Sequence, residues 1–294
     1  MNILLINPPN CGRSIPEERY GITTIKQIFR GEPLALETLA GNLPEHEVKI
    51  LDLKVEPQAL EGVLADFAPD LIGLTAVTCE ANSVLALAER IKQAGKATVV
   101  VGGIHASCDP EFFNRKEIDY IVIGLGKQSF RELVQTLVRG DGATADIPGV
   151  CRTSPGRKLR WRPRRYDLTD LVAEQPPRYD LVAGYRAHYT LAALGAPLGF
   201  VSSAFGCPYS CSFCSIGKLT DGRYLSQSAE RVVRDIRLLG EIPVIRLVDA
   251  NTFGNPDHAR RLCRTILAAE LQKNFIIDIR SDSVVQQKPL PIRA

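Results

Sequence analysis

No stretch of this sequence is apolar over a length that could span a bilayer. The longest apolar runs, such as Ala97 to Val101, have the length of β-strands. The opening Met1-Asn2-Ile3-Leu4-Leu5-Ile6 has no basic residues and no small-residue cleavage site, so it reads as a first strand and not as a signal peptide. Charge of one sign is scarce as well: 36 Lys and Arg stand against 33 Asp and Glu, and the balance of +3 does not mark a nucleic-acid binder. There is no low-complexity tract and no internal repeat beyond a βα cadence. With 45% hydrophobic and 23% charged residues, the chain has the balance of a folded soluble protein, and its 294 residues suit about two domains. A cytoplasmic placement is expected.

Up to about residue 140, short apolar runs alternate with helical patterns. Strands are expected at Ile3–Asn7, Val48–Leu53, Asp70–Thr75, Thr98–Val101 and Tyr120–Ile123. Helices are expected over 33–43, Pro57–Phe67, Ala81–Ala94 and Ser129–Val138. Continuous apolar strands joined by helices imply a parallel sheet covered on both faces, a doubly wound α/β domain over residues 1–142. Ligands of such sheets sit beyond the carboxyl ends of the strands.

Residues 143–197 read as a linker. Arg152, Arg157, Lys158, Arg160, Arg162, Arg164 and Arg165 surround Trp161, and a β-hairpin is expected to turn at Ser154-Pro155-Gly156. With one aromatic and no helical period, this basic run reads as a solvated face and not as a nucleic-acid site. From 198 to 294 the βα pattern returns, with strands at Gly199–Ala204, Val244–Asp249 and Phe275–Arg280. Helices follow at Ala229–Leu239 and Pro256–Leu271, the second capped by Asn255.

Eight cysteines punctuate the chain, three of them in Cys207-Pro208-Tyr209-Ser210-Cys211-Ser212-Phe213-Cys214, just after a strand. Clustered thiols in a reducing compartment serve as metal ligands or redox groups more often than as disulfides. A structural zinc needs a fourth ligand, and the candidates are poor: Cys263 falls within an expected helix and His188 in the linker. Three structural thiols, or zinc with an unidentified fourth ligand, remain alternatives. The pattern favours an iron–sulfur cluster with one open iron.

The C-x3-C-x2-C spacing, with Phe213 before the third cysteine, resembles the radical S-adenosylmethionine (SAM) superfamily. The resemblance implies that Cys207, Cys211 and Cys214 hold a [4Fe–4S] cluster. It implies further that the backbone around Phe213 meets the SAM adenine, and that SAM is cleaved to a 5′-deoxyadenosyl radical. Leu247-Val248-Asp249-Ala250-Asn251-Thr252-Phe253 resembles the second barrel strand of the cobalamin-dependent members, and Ile279-Arg280-Ser281-Asp282 the end of the third. Asp249, Asn251 and Arg280 are therefore expected to contact SAM, the alternative for Asp249 being a helix-capping or turn carboxylate.

The first domain resembles the cobalamin-binding domain of that group. The matching segments are Asn7-Pro8-Pro9, Gly73 to Thr78, Val101 to Ala106 and Gly124-Leu125-Gly126. Asn7, Thr75, Thr78, Gly102, Gly103, Gly124 and Gly126 are the expected cobalamin contacts, glycine allowing close approach of the corrin and its tail. The D-x-H-x-x-G loop of histidine-ligated members is absent: the loop begins Asn7-Pro8-Pro9-Asn10-Cys11. His105 reads as a turn residue and not as a cobalt ligand. Cys79 and Cys108 read as small buried hydrophobes.

The implied function is methyl transfer to an unactivated carbon of a small molecule, with flavodoxin or ferredoxin as electron donor. The alternative is radical cyclisation or rearrangement with the same cofactors. A barrel supplied only by residues 198–294 is expected to be truncated, so a catalytically incomplete cobalamin-binding fragment is the remaining expectation.

Overall fold

The computed structural model describes residues 1–9, 31–140, 142–166, 175–191, 195–220 and 222–281. The expected features at Asn10, Cys11 and beyond Ser281 lie outside them. The chain divides into two units: Met1–Arg165 with Ala173–His188, and Tyr166–Val172 with Tyr189–Ala294. The stretch 143–197, expected as a linker, is thus shared between the two.

The first unit is built on six strands: β1 (Asn2–Asn7), β2 (Glu47–Asp52), β3 (Leu71–Thr75), β4 (Thr98–Gly102), β5 (Tyr120–Val122) and β6 (Val150–Arg152). They lie in the order β2-β1-β3-β4-β5-β6, with the first five parallel. Helices α1 (Leu34–Gly41), α2 (Leu60–Phe67), α3 (Ala81–Ala94), α4 (Ile104–Cys108) and α5 (Gly126–Arg139) connect them. This is the doubly wound order of flavodoxin-like domains. Ile3, Leu4, Leu5, Ile6, Leu71, Ile72, Val99 and Val101 are fully buried, as two-sided coverage requires.

The expected hairpin is a correction. The chain does turn at Ser154, where the Arg157 amide donates to the Ser154 carbonyl, but no second strand follows among the described residues. Val150–Arg152 instead pairs antiparallel with β5. The returning chain still bonds back across the turn, the Gly149 amide donating to the Arg162 carbonyl at 2.7 Å, without forming a regular strand. The Cys79 expectation fails too: this thiol is exposed on the 3₁₀ turn Thr78–Glu80, and Cys108 is half-buried.

A returning segment, the 3₁₀ stretch Tyr179–His188, lies against α1 and β2. The Arg178 amide donates to the Glu37 carbonyl at 3.0 Å, and Arg186 pairs with the buried Glu32. The Glu37 side chain is 0% exposed, and neither carboxylate oxygen has a hydrogen-bond partner. Burial pushes its carboxyl well above the ordinary range. Glu32 adds to the push, Arg186 opposes it, and Asp180 and Asp52 add further.

A raised folded-state pKa means that the native state holds this proton more tightly than the unfolded chain does. Its stabilising contribution is present below the unfolded-state pKa and is lost as pH rises toward the folded value. Glu37→Gln is therefore expected to gain stability over wild type as pH rises above about 4.3, by up to about 1.4 kcal/mol per pH unit. Denaturant unfolding at pH 5 and pH 8 checks this: the gap should widen at pH 8, and a constant gap would refute it.

The second unit carries β7 (Thr190–Leu191), β8 (Ala196–Val201), β9 (Ala204–Gly206), β10 (Tyr224–Ser226), β11 (Val244–Leu247) and β12 (Asn274–Ile276). Strands β8, β11 and β12 are parallel, in the order β12-β11-β8-β7, and β9 and β10 form an antiparallel pair. Its helices are α6 (Ile216–Leu219), α7 (Ala229–Leu238) and α8 (Pro256–Ala268). Helix α7 starts at Ser228, whose side chain accepts from the Arg231 amide, and buries Val232, Val233 and Ile236. Each such side chain contributes roughly 1.5–3 kcal/mol. Asn255 caps α8 as expected, accepting from the Asp257 and His258 amides.

Two strands differ from expectation. Strand β8 ends at Val201, and the chain bends before β9. Strand β12 ends at Ile276, because Asp278 leaves the ladder: its carboxylate takes Arg246 at 2.7 Å and its carbonyl accepts from the Thr252 amide. Among the described residues, no helix is long and apolar enough to cross a membrane.

Candidate functional site

In the second unit, β9 ends at Gly206 and delivers the chain into the loop carrying Cys207, Cys211 and Cys214. The loop has little regular structure: the Cys214 amide donates to the Cys211 carbonyl at 3.1 Å, and α6 begins at Ile216. Cys207 and Cys211 are half-buried and Cys214 is exposed. The three thiols share one loop but are not drawn together in the bare chain. Among the described residues, no group of three His, Cys, Asp or Glu side chains has metal-holding geometry. The donor set still fits a three-thiolate cluster: soft sulfur ligands, small spacers and solvent access for the metal. Cys263 lies in α8, outside the cysteine loop, where burial pushes its thiol pKa up.

Phe213 is 90% exposed. Arg280, beyond β12, lays its guanidinium 3.8 Å from the centre of the Tyr209 ring and points Nη1 at Cys211 Sγ, 3.9 Å away. Arg280 therefore belongs to the cysteine loop itself. Tyr209 was missed in the sequence; its place inside the C-x3-C segment was the available signal.

Asp249 serves as a turn carboxylate. It is 2% exposed, and its carboxylate is taken by the bend between β8 and β9. Oδ1 accepts from the Ser203 amide at 2.7 Å and the Ala204 amide at 2.9 Å, and Oδ2 accepts from Ser203 Oγ at 2.5 Å. Asn251, two residues on, is 0% exposed, and neither its Oδ1 nor its Nδ2 has a partner. A buried amide with both ends unpaired is costly, and such groups mark sites awaiting a ligand or water. Thr252 Oγ1 and His258 Nε2 are also buried and unpartnered. Burial pushes His258 down, while Asp249 and a hydrogen bond to the Ser203 backbone push it up.

In the first unit, the expected cobalamin contacts fall along the carboxyl ends of β1, β3, β4 and β5. Thr75 is paired with Gly102 in the ladder, and the Ala76 amide donates to the Gly102 carbonyl. Thr78 is exposed on the turn beyond β3. Asn7 donates from Nδ2 to the buried Asp52 at 3.0 Å. The Gly124 amide donates to Ser107 Oγ at 2.8 Å, a link the sequence did not reveal.

The glycines separate into two kinds. A Cβ on Gly102 would meet only Val122, at 3.6 Å, so the chain's own packing does not demand glycine there. Close approach by a ligand would. Gly103, at φ +97°, is demanded internally: a Cβ would come within 2.8 Å of the Ala76 backbone. Gly126 is the first residue of α5 and packs toward Val122 and Leu39. Gly103→Ala is expected to lower the stability of the first unit by about 1–3 kcal/mol. Gly102→Ala is expected to leave thermal stability unchanged, and thermal unfolding of the two variants checks the contrast. His105 packs edge-on against Phe112 and Phe113, with Nε2 buried and unpaired, so it is a packing residue of α4.

Residues 22–134 match the B12 binding domain family model. An uncharacterised methyltransferase of Pyrococcus horikoshii is 34% identical over 253 residues, covering 81% of this chain and 50% of the relative. The chain carries a B12-binding domain and is similar to methyltransferases. The hopanoid C-3 methylase of Methylococcus capsulatus is 29% identical over 276 residues, covering 90% of this chain and 51% of that protein. Among solved structures, the radical SAM methyltransferase TsrM of Kitasatospora setae aligns over 91% of this chain and 51% of its own, with TM-score 0.68 and 23% identity. The cobalamin-dependent radical SAM enzyme OxsB aligns over 99% of this chain and 40% of its own, with TM-score 0.71 and 20% identity. At these identities the structural likeness speaks for the fold. The chain spans about half the length of the curated relatives it matches.

Proposed function

We propose that this chain takes part in cobalamin-dependent radical SAM methyl transfer to an unactivated carbon of a small molecule. The observation that carries the reading is the order of its parts: a glycine-edged, doubly wound B12-binding domain, then a three-cysteine loop that follows β8 and the short β9 of the second unit. Both curated relatives described above are named for methyl transfer, which favours this reading over cyclisation or rearrangement.

When bound, the [4Fe–4S] cluster, SAM and cobalamin supply the radical and methyl-transfer chemistry. The thiolates of Cys207, Cys211 and Cys214 hold the cluster, and Arg280 stacked on Tyr209 fixes one side of their loop. Asn251 offers a donor and an acceptor to SAM from a fully buried position, and the backbone beside Phe213 meets the adenine. Asn7, Thr75, Thr78, Gly102, Gly103, Gly124 and Gly126 line the cobalamin edge, Gly102 by leaving room and Gly103 by shaping the turn. An electron donor of the flavodoxin or ferredoxin kind supplies reducing equivalents, and the exposed thiols suit a reducing, cytoplasmic compartment.

The test is anaerobic reconstitution with iron and sulfide, followed by assay of 5′-deoxyadenosine release with and without cobalamin. Cluster absorbance, a shifted cobalamin spectrum and SAM cleavage are expected. A loaded cluster without SAM cleavage would sink the catalytic reading, and an unshifted cobalamin spectrum would sink the cobalamin half.

A further inference from the structure

We infer that Asp249 and Gln227 are positioning residues that clamp the bend Ser202–Ala204 and so preset the path of the chain into the cluster-binding cysteines. The inference rests on the cluster assignment above and replaces the expected contact between Asp249 and SAM.

Three residues before Cys207, the bend is gripped by Asp249 and Gln227, and His258 of α8 also bonds the Ser203 backbone. From the end of β11, Asp249 accepts two backbone amides and the Ser203 hydroxyl, and Ser202 Oγ lies 3.4 Å from its Oδ1. From just beyond β10, Gln227 donates its side-chain amide to the Ser202 carbonyl at 2.9 Å and its backbone amide to the Ser203 carbonyl at 2.8 Å. Ser203 is fully buried. A carboxylate accepting several hydrogen bonds in a buried site has little capacity left for a ligand. The adjacent Asn251 keeps both of its polar ends unpaired. Here the acidic residue is consumed by the scaffold and the amide is left for chemistry.

The clamp matters because the loop beyond it is weakly structured. Holding its entry fixed lowers the entropy lost when three thiolates close on one cluster. The clamp is complete in the chain alone, so it acts before the cluster arrives.

The test uses the full chain, cluster-free and after anaerobic reconstitution with ferrous iron and sulfide. Asp249→Ala and Gln227→Ala are each expected to cut retained iron about tenfold, the scale of losing an outer partner of a metal site. In the cluster-free chain, both should speed hydrogen exchange at the Ser203 and Ala204 amides. Asp249→Asn should restore both readouts, because its amide oxygen still accepts the two backbone donors and its amide nitrogen can donate to Ser203 Oγ. SAM affinity per loaded cluster should stay unchanged. Gln227→Ala removes one side-chain hydrogen bond and keeps the test open if Asp249→Ala does not fold.

Normal iron retention in Gln227→Ala would overturn the inference. So would Asp249→Ala with full iron and weakened SAM binding, since that marks a direct cofactor contact. A wild-type chain that takes up no cluster would instead refute the functional reading, and the exchange measurement would still decide whether the clamp exists.

Discussion

Cys207→Ser, Cys211→Ser and Cys214→Ser are each expected to leave a folded chain that no longer retains an iron–sulfur cluster. All three thiols lie on a loop that contributes nothing to the buried core, and none is fully buried. The cost to folding should therefore fall within the roughly 0.5 kcal/mol typical of surface substitutions. The cost to metal binding is far larger, because a hydroxyl is a hard, poorly ionised donor where the cluster needs soft thiolate. Retained iron should drop by more than about 100-fold, beyond the range of outer partners. Cys263→Ser is the control: its thiol sits in α8, so iron retention should stay normal. Iron analysis, visible absorbance and thermal unfolding on the same samples separate loss of cluster from loss of fold. Normal iron in any single variant of the three would remove that cysteine from the ligand set.

Gly206→Ala is expected to be the most damaging single-methyl addition in the second unit. Gly206 sits at φ +78°, where a side chain costs roughly 1–2 kcal/mol. A Cβ there would also fall well inside contact with the Arg223 carbonyl oxygen and Thr220 Oγ1. Backbone cannot swing away as a flexible side chain can, so overpacking adds about 1–3 kcal/mol. Gly206 is paired with Tyr224 across the β9–β10 ladder, and the next residue is Cys207. The variant should lose about 2–5 kcal/mol of stability in this unit and should also retain less iron. Gly217→Ala, where a Cβ would meet nothing within 4 Å, should be silent. Thermal unfolding and iron content compare the two. Equal stability of both variants would mean that the β9–β10 pair is not packed as described.

Much of the fold was legible because its information is local. Helix α3 was expected at Ala81–Ala94 and lies there, since its apolar positions recur at helical spacing over a long run. Strands β1 to β5 were legible as apolar runs because the sheet is buried on both faces. The three cysteines were legible because their chemistry is carried by spacing along one loop. The turn at Ser154 was legible from its local chemistry, but the antiparallel pairing of Val150–Arg152 with β5 was not, because a turn signal says nothing about a strand's other edge.

The sequence by itself determined the composition of the sites: three thiols in eight residues, a sheet edge set with Asn7, Thr75, Gly102 and Gly103, and two βα systems in order. The tertiary structure decided which polar groups are spent and which are free. Asp249 and Asn251 look equally suited to a ligand when read in line. Only the approach of Ser203 and Ala204, some 45 residues earlier in the chain, uses up the carboxylate and leaves the amide unpaired. Hydrogen-bond capacity is finite and is allotted by contacts in space, so no pattern along the chain records it.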